Sequence, residues 1–177
     1  MLFRSFDFSA LEIVLMGRYA HLGAFALEGP DDVAIARRAL AATGTTALER
    51  RPFATLSGGE KQRVVIASAL AQSSDTLLLD EPTTALDIGF QFEIASLLAS
   101  LNRDHGTTMV VSTHDLNLAG MLCTELVLMK AGRVLATGKT GDVLTADNIR
   151  RLYDVDADVA VHPRAGHLTV VPIARAD

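Results

Sequence analysis

The sequence predicts an α/β fold in which a helical part comes first, followed by a mainly parallel sheet and a small terminal hairpin. Residues 9–72 carry apolar side chains at helical spacing and contain no strand-like run. From Ser74 onward, short apolar runs alternate with amphipathic helical segments, which is typical of parallel strands joined by helices. Two apolar runs flank a turn at residues 163–166 and predict an antiparallel pair near the end of the chain.

The first part of the chain is predicted to form three helices. Ser9 precedes the first helix, and Glu12 three residues later completes a capping-box pattern. The second helix, residues 33–42, follows Pro30 and two acidic residues, which the helix dipole favours in a first turn. The third helix is expected to start at the Gly58-Gly59 pair and to continue to residue 72.

The remaining elements alternate between strands and helices. The predicted strands are residues 76–79, 107–112, 126–129, 134–136, 155–161 and 168–173, and the predicted helices are residues 88–103, 115–121, 140–145 and 146–152. A tight turn at residues 130–133 is predicted to join the strand at 126–129 to the strand at 134–136 in a hairpin. The pattern changes from helical to alternating near Ser73. This change divides the chain into two expected domains, residues 1–73 and residues 74–177.

Composition excludes several classes of protein. A net charge of -5 and a pI near 5.5 argue against non-specific binding of nucleic acid, which requires a basic surface. Cys123 is the only cysteine, so the chain has neither an intramolecular disulfide nor a cysteine-cluster metal site. No apolar run approaches the roughly 20 residues that span a bilayer, and the start of the chain lacks the apolar core of a secretory signal. These features predict a cytoplasmic protein.

The segment Ser57-Gly58-Gly59 predicts an anion-binding turn. It stands at the expected start of a helix, where backbone N–H groups lack intrahelical partners and the helix dipole attracts negative charge. Glycine also allows a phosphate to approach the backbone closely. A plain capping turn has the same sequence, so this short segment alone leaves both interpretations open.

Two adjacent acids, Asp80 and Glu81, follow the apolar strand at residues 76–79. At the C-terminal end of a buried strand, Asp80 can reach Mg²⁺ through water, and Glu81 can act as the general base for an attacking water. Solvated turn residues are the alternative interpretation. The apolar run before the two acids and Pro82 after them favour the catalytic interpretation.

His114 follows the second predicted strand, residues 107–112. Because the carboxyl ends of neighbouring parallel strands share one crevice, this histidine is placed to contact a terminal phosphate and the hydrolytic water. A histidine that caps the following helix is the alternative. The position of His114 alone does not decide between the two.

Together these segments resemble the ATPase subunits of ABC transporters. Ser57–Arg63 is similar to the family's signature motif, Leu77–Pro82 to its Walker B motif, Thr83–Asp87 to its D-loop and Ser112–Asp115 to its switch-histidine motif. The four motifs occur in the family's order and at its usual separations. The resemblance implies a helical signature subdomain followed by the C-terminal part of a P-loop NTPase core.

The resemblance implies that the nucleotide is shared between two ATPase subunits in a head-to-tail dimer. Ser57, Gly58 and Gly59 would contact the γ-phosphate of an ATP molecule held by the opposite subunit. Glu60 belongs to the same motif, and Asp87 of the D-loop would cross the dimer interface. These five positions are the nucleotide-binding residues that the resemblance implies.

The resemblance also implies the catalytic groups and the partners. Asp80 would support Mg²⁺, Glu81 would be the catalytic base and His114 would sense the γ-phosphate. The segment Val14–Tyr19 with His21 is similar to ATPases of importers for iron–siderophore complexes, haem or cobalamin. The implied partner is a membrane permease, which would hold the chain at the inner face of the cell membrane.

A P-loop with the pattern Gly-x-x-x-x-Gly-Lys-[Ser/Thr] is absent from the sequence. The segment Gly138-Lys139-Thr140 has Arg133 where the leading glycine belongs and an apolar run between them, so we reject it. In the family the P-loop and Q-loop precede the helical subdomain. We therefore expect an N-terminally truncated ATPase that binds ATP and Mg²⁺ weakly or not at all by itself, with an apolar sheet edge and apolar helix faces exposed. The alternative is an inactive binding module that offers its signature motif in trans to a full-length ATPase.

Overall fold

The computed structural model describes residues 7–23 and 25–176. The chain forms two compact units, Met1–Ser112 and Thr113–Asp177. The aromatic residues Phe3 and Phe6 lie outside the described part. The predicted domain boundary between residues 73 and 74 falls inside the first unit and stays a prediction.

Every helix and strand predicted above is present, with bounds that shift by a few residues. The α-helices are α1 (Ala10–Leu15), α2 (Pro30–Ala42), α3 (Gly58–Ala71), α4 (Ile88–His105), α5 (Leu116–Leu122), α6 (Thr140–Val143) and α7 (Ala146–Tyr153). The strands are β1 (Thr76–Asp80), β2 (Thr108–Ser112), β3 (Glu125–Lys130), β4 (Arg133–Lys139), β5 (Val155–Val161) and β6 (Leu168–Arg175). Short 3₁₀ helices cover Met16–His21, Thr46–Leu48 and Phe53–Thr55.

The helices of the first unit pack around a small aliphatic core. Val14 of α1, Leu40 of α2 and Val64 of α3 are completely buried and belong to one cluster of apolar side chains. Burying side chains of this size is worth about 1.5–3 kcal/mol each before the loss of conformational entropy. The helical spacing that predicted these helices therefore also marks the faces that form the core.

Gly17 allows the segment after α1 to approach α3 closely. A methyl group built on Gly17 would overlap the carbonyl oxygen of Ser68 and lie 3.1 Å from its carbonyl carbon. The Ser68 hydroxyl donates a hydrogen bond to the Ile13 carbonyl at 3.0 Å. The backbone of Gly17 thus takes the space that a side chain would otherwise need.

Two basic side chains after α1 bind the C-terminal end of α3. The buried Arg18 donates to the Asp32 carboxylate at 3.0 Å and to the Ala71 carbonyl at 2.7 Å. Nε2 of His21 lies 2.6 Å from the Gln72 carbonyl oxygen. Carbonyl groups at a helix C-terminus carry partial negative charge, so cationic partners are favourable there.

The parallel part of the sheet is the pair β1–β2. These strands lie in parallel register from Thr76 opposite Thr108 to Asp80 opposite Ser112. On β1 the side chains of Leu77 and Leu79 are buried, whereas Leu78 is 78% exposed. One face of this pair is therefore covered and the other is open.

The other described sheets, β3–β4 and β5–β6, are antiparallel. The α/β class is confirmed, and the hairpin predicted around residues 130–133 is present, because β3 pairs with β4. Ala131 and Gly132 both have positive φ, as a two-residue hairpin turn of type I′ requires. The predicted terminal hairpin is present as β5–β6.

The second unit has a core of its own. Leu144, Ile149 of α7, Ala157 of β5 and Val170 of β6 form its buried cluster. The Asn117 side chain of α5 accepts a hydrogen bond from the Val170 N–H at 2.7 Å, which joins α5 to the terminal hairpin.

Cys123 at the end of α5 is half-buried. Burial raises the pKa of its thiol, because the charged thiolate is disfavoured away from water. The thiol therefore remains protonated near neutral pH.

Candidate functional site

The Ser57–Gly59 turn is an N-terminal cap whose amides are only partly used. The Ser57 hydroxyl accepts a hydrogen bond from the Glu60 N–H at 3.3 Å, and Glu60 accepts one from the Ser57 N–H at 2.8 Å. The helix leaves the N–H groups of Gly58 and Gly59 without an intrahelical partner. Both the capping interpretation and the anion-binding interpretation are compatible with this geometry, since the cap uses different amides.

Glu60 is a charged part of the turn. The hydrogen bond from the Ser57 N–H holds the pKa of the Glu60 carboxyl below its ordinary value, and the positive charge of Arg51 adds to the effect. The Arg51 guanidinium lies 3.5 Å from the carboxylate and offsets its charge. Glu60 therefore bonds the backbone of the turn, and its direct contact with a nucleotide stays a prediction.

Asp80 and Glu81 stand at the end of β1, next to the end of β2. Asp80 is exposed and is the last residue of β1. Glu81 has a positive φ of 47°, and its N–H donates to the Ser112 carbonyl at 2.8 Å. The Thr84 hydroxyl donates to the Glu81 carboxylate at 2.9 Å. The turn thus holds the backbone and the carboxylate of Glu81 at the same time.

The described residues fit Mg²⁺ only as an ion that is held mainly by phosphate and water. They contain no group of three or more His, Cys, Asp or Glu side chains that could hold a metal ion. Mg²⁺ in nucleotide enzymes commonly takes one or two carboxylates, and the remaining positions are filled by water and phosphate oxygens. Asp80, an exposed carboxylate at a strand end, is suited to that share of the coordination.

Asp87 caps the helix after the acidic turn. Its carboxylate accepts a hydrogen bond from the Phe90 N–H at 3.0 Å at the start of α4. The side chain of Asp87 is exposed. It is placed on a rigid helix start rather than in a free loop.

His114 belongs to the second unit and is exposed. The N-cap of α5 is Asp115, whose carboxylate accepts hydrogen bonds from the Asn117 and Leu118 N–H groups at 2.9 and 3.0 Å. The Asp115 N–H in turn donates to the Thr113 hydroxyl. Capping of α5 is thus performed by Asp115.

Sequence reasoning missed Thr84 as a partner of the predicted base. The signal was present, because a hydroxyl three residues after a strand-end carboxylate often bonds back to it within a turn. The rejected segment Gly138-Lys139-Thr140 spans the end of β4 and the start of α6: Gly138 pairs with Leu126 and Lys139 with Glu125.

The fold of the chain is shared with ATP-binding cassettes of known structure. An inward-facing metal-chelate type ABC transporter superposes with a TM-score of 0.86 at 33% identity, over 98% of this chain and 70% of that chain. The chain belongs to the ABC transporter ATPase family. A family model described as ABC transporter matches residues 11–84.

Relatives of this ABC ATPase chain are ATP-binding proteins of importers. The cobalamin import ATP-binding protein of Halobacterium salinarum is 40% identical over 96% of this chain. The ferric enterobactin transport ATP-binding protein of Escherichia coli is 39% identical over 96% of this chain. The chain spans 42% of the length of the first relative and 62% of the second. Among the helices that the structure describes, none has both the length and the apolar character needed to cross a membrane.

Proposed function

We propose that the chain is part of the ATP-binding and ATP-hydrolysing subunit of an ABC importer. The observation that carries the proposal is the Ser57–Gly59 turn, which opens α3 with two amides outside the capping box. Two N–H groups at the positive end of a helix dipole form a ready site for a phosphate. Gly58 is exposed, so a phosphate can reach the backbone there.

The turn would act on a nucleotide held by a second ATPase subunit. In a head-to-tail dimer, Ser57, Gly58 and Gly59 contact the γ-phosphate of ATP bound by the opposite subunit, and Asp87 crosses the interface. The exposure of Ser57, Gly58 and Asp87 supports this role, because groups that act across an interface must be accessible. A related cassette that is 34% identical has been solved as a dimer.

The strand-end acids would carry out hydrolysis. Asp80 supports Mg²⁺ and Glu81 acts as the general base toward water, while His114 senses the γ-phosphate. The hydrogen bond from Thr84 supports the assignment of Glu81, because a base works from a defined position. Mg²⁺, when bound with the nucleotide, neutralises charge that develops on the transferring phosphoryl group.

The transported substrate is proposed to be an iron–siderophore complex, haem or cobalamin. Relatives that are 39–42% identical carry names for cobalamin, ferric enterobactin and hemin import. The partner of the subunit is then a membrane permease, to which it binds at the inner face of the cell membrane.

A second candidate function is a binding module that offers the Ser57–Gly59 turn in trans without hydrolysing ATP itself. The absence of a P-loop sequence from the 177 residues favours it, because P-loop amides and lysine supply much of the affinity for phosphates. We therefore expect weak or no binding of ATP and Mg²⁺ by the chain alone. Micromolar affinity of the isolated chain for ATP would contradict this second function.

The test is association of the chain with a full-length siderophore-importer ATPase subunit, followed by sedimentation velocity with and without ATP and Mg²⁺. We expect association that depends on ATP and is weakened at least tenfold by Gly58→Ala. A methyl group on Gly58 would lie 3.5 Å from Leu86, an ordinary contact, so the fold tolerates it while the amides become less accessible.

Gly141→Ala is the matched control, because nothing lies within 4 Å of a methyl group at Gly141. Its association should equal that of the unmodified chain. If ATP does not alter association of the unmodified chain, the proposed function is wrong.

A further inference from the structure

The start of α4 is fixed to the Asp87 side chain. The Asp87 carboxylate accepts the Phe90 N–H at 3.0 Å, and the Gln91 side-chain amide donates to the Leu86 carbonyl at 3.1 Å. These bonds close the first turn of α4 onto the residues before it. Asp87 and Phe90 are therefore held in a constant relation to each other.

The Phe90 ring occupies the space beside Gly59. A methyl group built on Gly59 would come within 2.9 Å of the ring atoms Cγ and Cε1 and still closer to Cδ1. Real Cβ atoms do not approach other carbon atoms this closely, so the ring fits only because residue 59 is a glycine. Gly59 is buried beneath this contact, whereas Gly58 is exposed.

The same two helices meet again one turn further along. Arg63 of α3 forms an ion pair with Glu93 of α4. Arg63 is four residues after Gly59, and Glu93 is three residues after Phe90, so each pair lies on one face of its helix. The Arg63 and Glu93 side chains are 30% and 50% exposed, so solvent screens their charges. The ion pair therefore stabilises the contact between α3 and α4 less than the packing of Phe90 does.

We infer that Phe90 is a positioning residue that joins the Ser57–Gly59 turn to Asp87, so that both move as one rigid piece. The inference rests on the proposed function, in which the turn and Asp87 face the same second subunit. It also gives Gly59 a role distinct from that of Gly58: Gly59 accommodates the ring, and Gly58 admits the phosphate. The ordinary alternative is that Phe90 only adds apolar packing to α4.

The first test is hydrogen exchange of the full chain, measured by mass spectrometry. Phe90→Ala is expected to raise exchange of the Glu60 and Lys61 amides by roughly tenfold and to leave the amides at the end of α3 unchanged. Phe90→Leu keeps an apolar side chain and should recover most of the protection. Unchanged exchange at Glu60 and Lys61 in Phe90→Ala overturns the inference.

Phe92→Ala is the matched control on the same helix. Its side chain is 58% exposed, so exchange at Glu60 and Lys61 should equal that of the unmodified chain. An equal increase in the Phe90→Ala and Phe92→Ala variants overturns the inference, because the effect would then belong to α4 as a whole. If Phe90→Ala unfolds throughout, Gly59→Ala, whose methyl group displaces the Phe90 ring, supplies the comparison, and unchanged exchange at Glu60 and Lys61 in that variant overturns the inference.

The second test is a double substitution. Gly59→Ala alone should raise exchange in the first turn of α3, since the methyl group displaces the Phe90 ring. Gly59→Ala with Phe90→Ala should exchange more slowly there than Gly59→Ala alone, because the smaller side chain makes room. If the increases in exchange caused by the two single substitutions simply add in the double variant, the inference is overturned.

The third test separates this inference from the proposed function. In the association experiment with a full-length ATPase subunit, Phe90→Ala should weaken ATP-dependent association roughly tenfold, and Phe90→Leu should restore it. If ATP does not change the association of the unmodified chain, the proposed function is refuted. Hydrogen exchange then still decides whether Phe90 positions the turn. Full ATP-dependent association in Phe90→Ala refutes the positioning role alone.

Discussion

At the scale of single residues, three of the described glycines are needed because another group occupies the space of their missing side chain. Gly17 faces the Ser68 carbonyl, Gly59 faces the Phe90 ring and Gly120 faces the Leu168 carbonyl. Gly59 and Gly17 both lie in segments that the sequence analysis singled out, but the sequence contained no signal for the groups that face them. Close approaches of this kind depend on which helices pack together, and a local pattern does not contain that information.

Gly17→Ala is expected to destabilise the chain by about 1–3 kcal/mol, the usual cost of inserting a group into a packed interior. The methyl group would overlap the Ser68 carbonyl oxygen, and backbone cannot move aside as a side chain can. Urea unfolding followed by circular dichroism measures the change. Gly23→Ala, where nothing lies within 4 Å, should stay within about 0.5 kcal/mol of the original. Equal stability of the two variants would contradict the prediction.

Glu81 shows a second limit of sequence reasoning at this scale. Its place at the end of a strand was predicted, yet its positive φ of 47° was not, because glutamate rarely adopts that region. Such a conformation costs on the order of 1–3 kcal/mol and persists only where the surroundings enforce it. Here the bonds to Ser112 and from Thr84 hold the residue.

Thr84→Val is expected to lower ATP turnover of the assembled subunit pair, because the Glu81 carboxylate loses the hydrogen bond from the Thr84 hydroxyl. Thr84→Ser retains the hydroxyl and should restore most of the rate. Steady-state phosphate release with the full-length partner measures both variants. Equal loss in the valine and serine variants would show that the hydroxyl does not orient the base.

At the scale of helices, α1, α2 and α3 begin with the same device. Glu12, Asp32 and Glu60 each accept a hydrogen bond from the N–H of the residue three positions earlier. The hydroxyls of Ser9 and Ser57 in turn accept hydrogen bonds from the N–H groups of Glu12 and Glu60, whereas Gly29 has no side chain to do so. These starts were predictable because capping depends on residues a few positions apart.

The capping carboxylates should make stability depend on pH in the acid range. Hydrogen bonds from Ser9, Gly29 and Ser57 lower the pKa of Glu12, Asp32 and Glu60 in the folded chain. A carboxyl group whose pKa is lower in the folded chain than in the unfolded chain stabilises the fold at pH values above its ordinary pKa near 4. This contribution is lost as the pH falls through the folded-state pKa. The melting temperature should therefore decrease as the pH is lowered below about 4.5.

Glu60→Gln keeps the geometry of a capping box and replaces the titratable carboxyl group by a neutral amide. We expect its melting temperature to vary less between pH 5 and pH 3 than that of the original chain, measured by circular dichroism at roughly half-unit intervals. Asp31→Asn is the charge-matched control. A pH profile of Glu60→Gln that coincides with that of the unmodified chain would contradict the prediction.

The β3–β4 hairpin was predictable from the sequence, because a short turn at residues 130–133 separates two apolar runs. The conformation of the turn was less predictable. Ala131 and Gly132 both have positive φ, and turns of this type usually carry asparagine or glycine rather than alanine at the first of these positions.

At the scale of the whole molecule, apolar surface is open to water on the sheet of the first unit. Leu78 and Val110 are partners in register on one face of β1–β2 and are 78% and 57% exposed. The sequence predicts an exposed apolar sheet edge and exposed helix faces, whereas Leu78 and Val110 lie on a face of the sheet. Parallel sheets normally have both faces covered, so this face is suited to pack against another apolar surface.

The variant Leu78→Thr with Val110→Thr should reduce self-association of the isolated chain while leaving its secondary structure unchanged. Threonine keeps the branched shape that strands favour and adds a polar group. Sedimentation velocity over a range of concentrations measures the association. Val65→Thr, on a half-exposed position of α3, is the control and should associate as the original does. Strictly monomeric behaviour of the original chain at all concentrations would contradict the prediction.

The anchoring of α3 at both ends has a mechanical consequence. Arg18 and His21 hold its last carbonyls, and the capping box with Phe90 holds its first turn. A helix of 14 residues is roughly 21 Å long and resists bending. A displacement of the Met16–His21 segment would therefore be transmitted through α3 to Ser57 rather than being absorbed as local distortion.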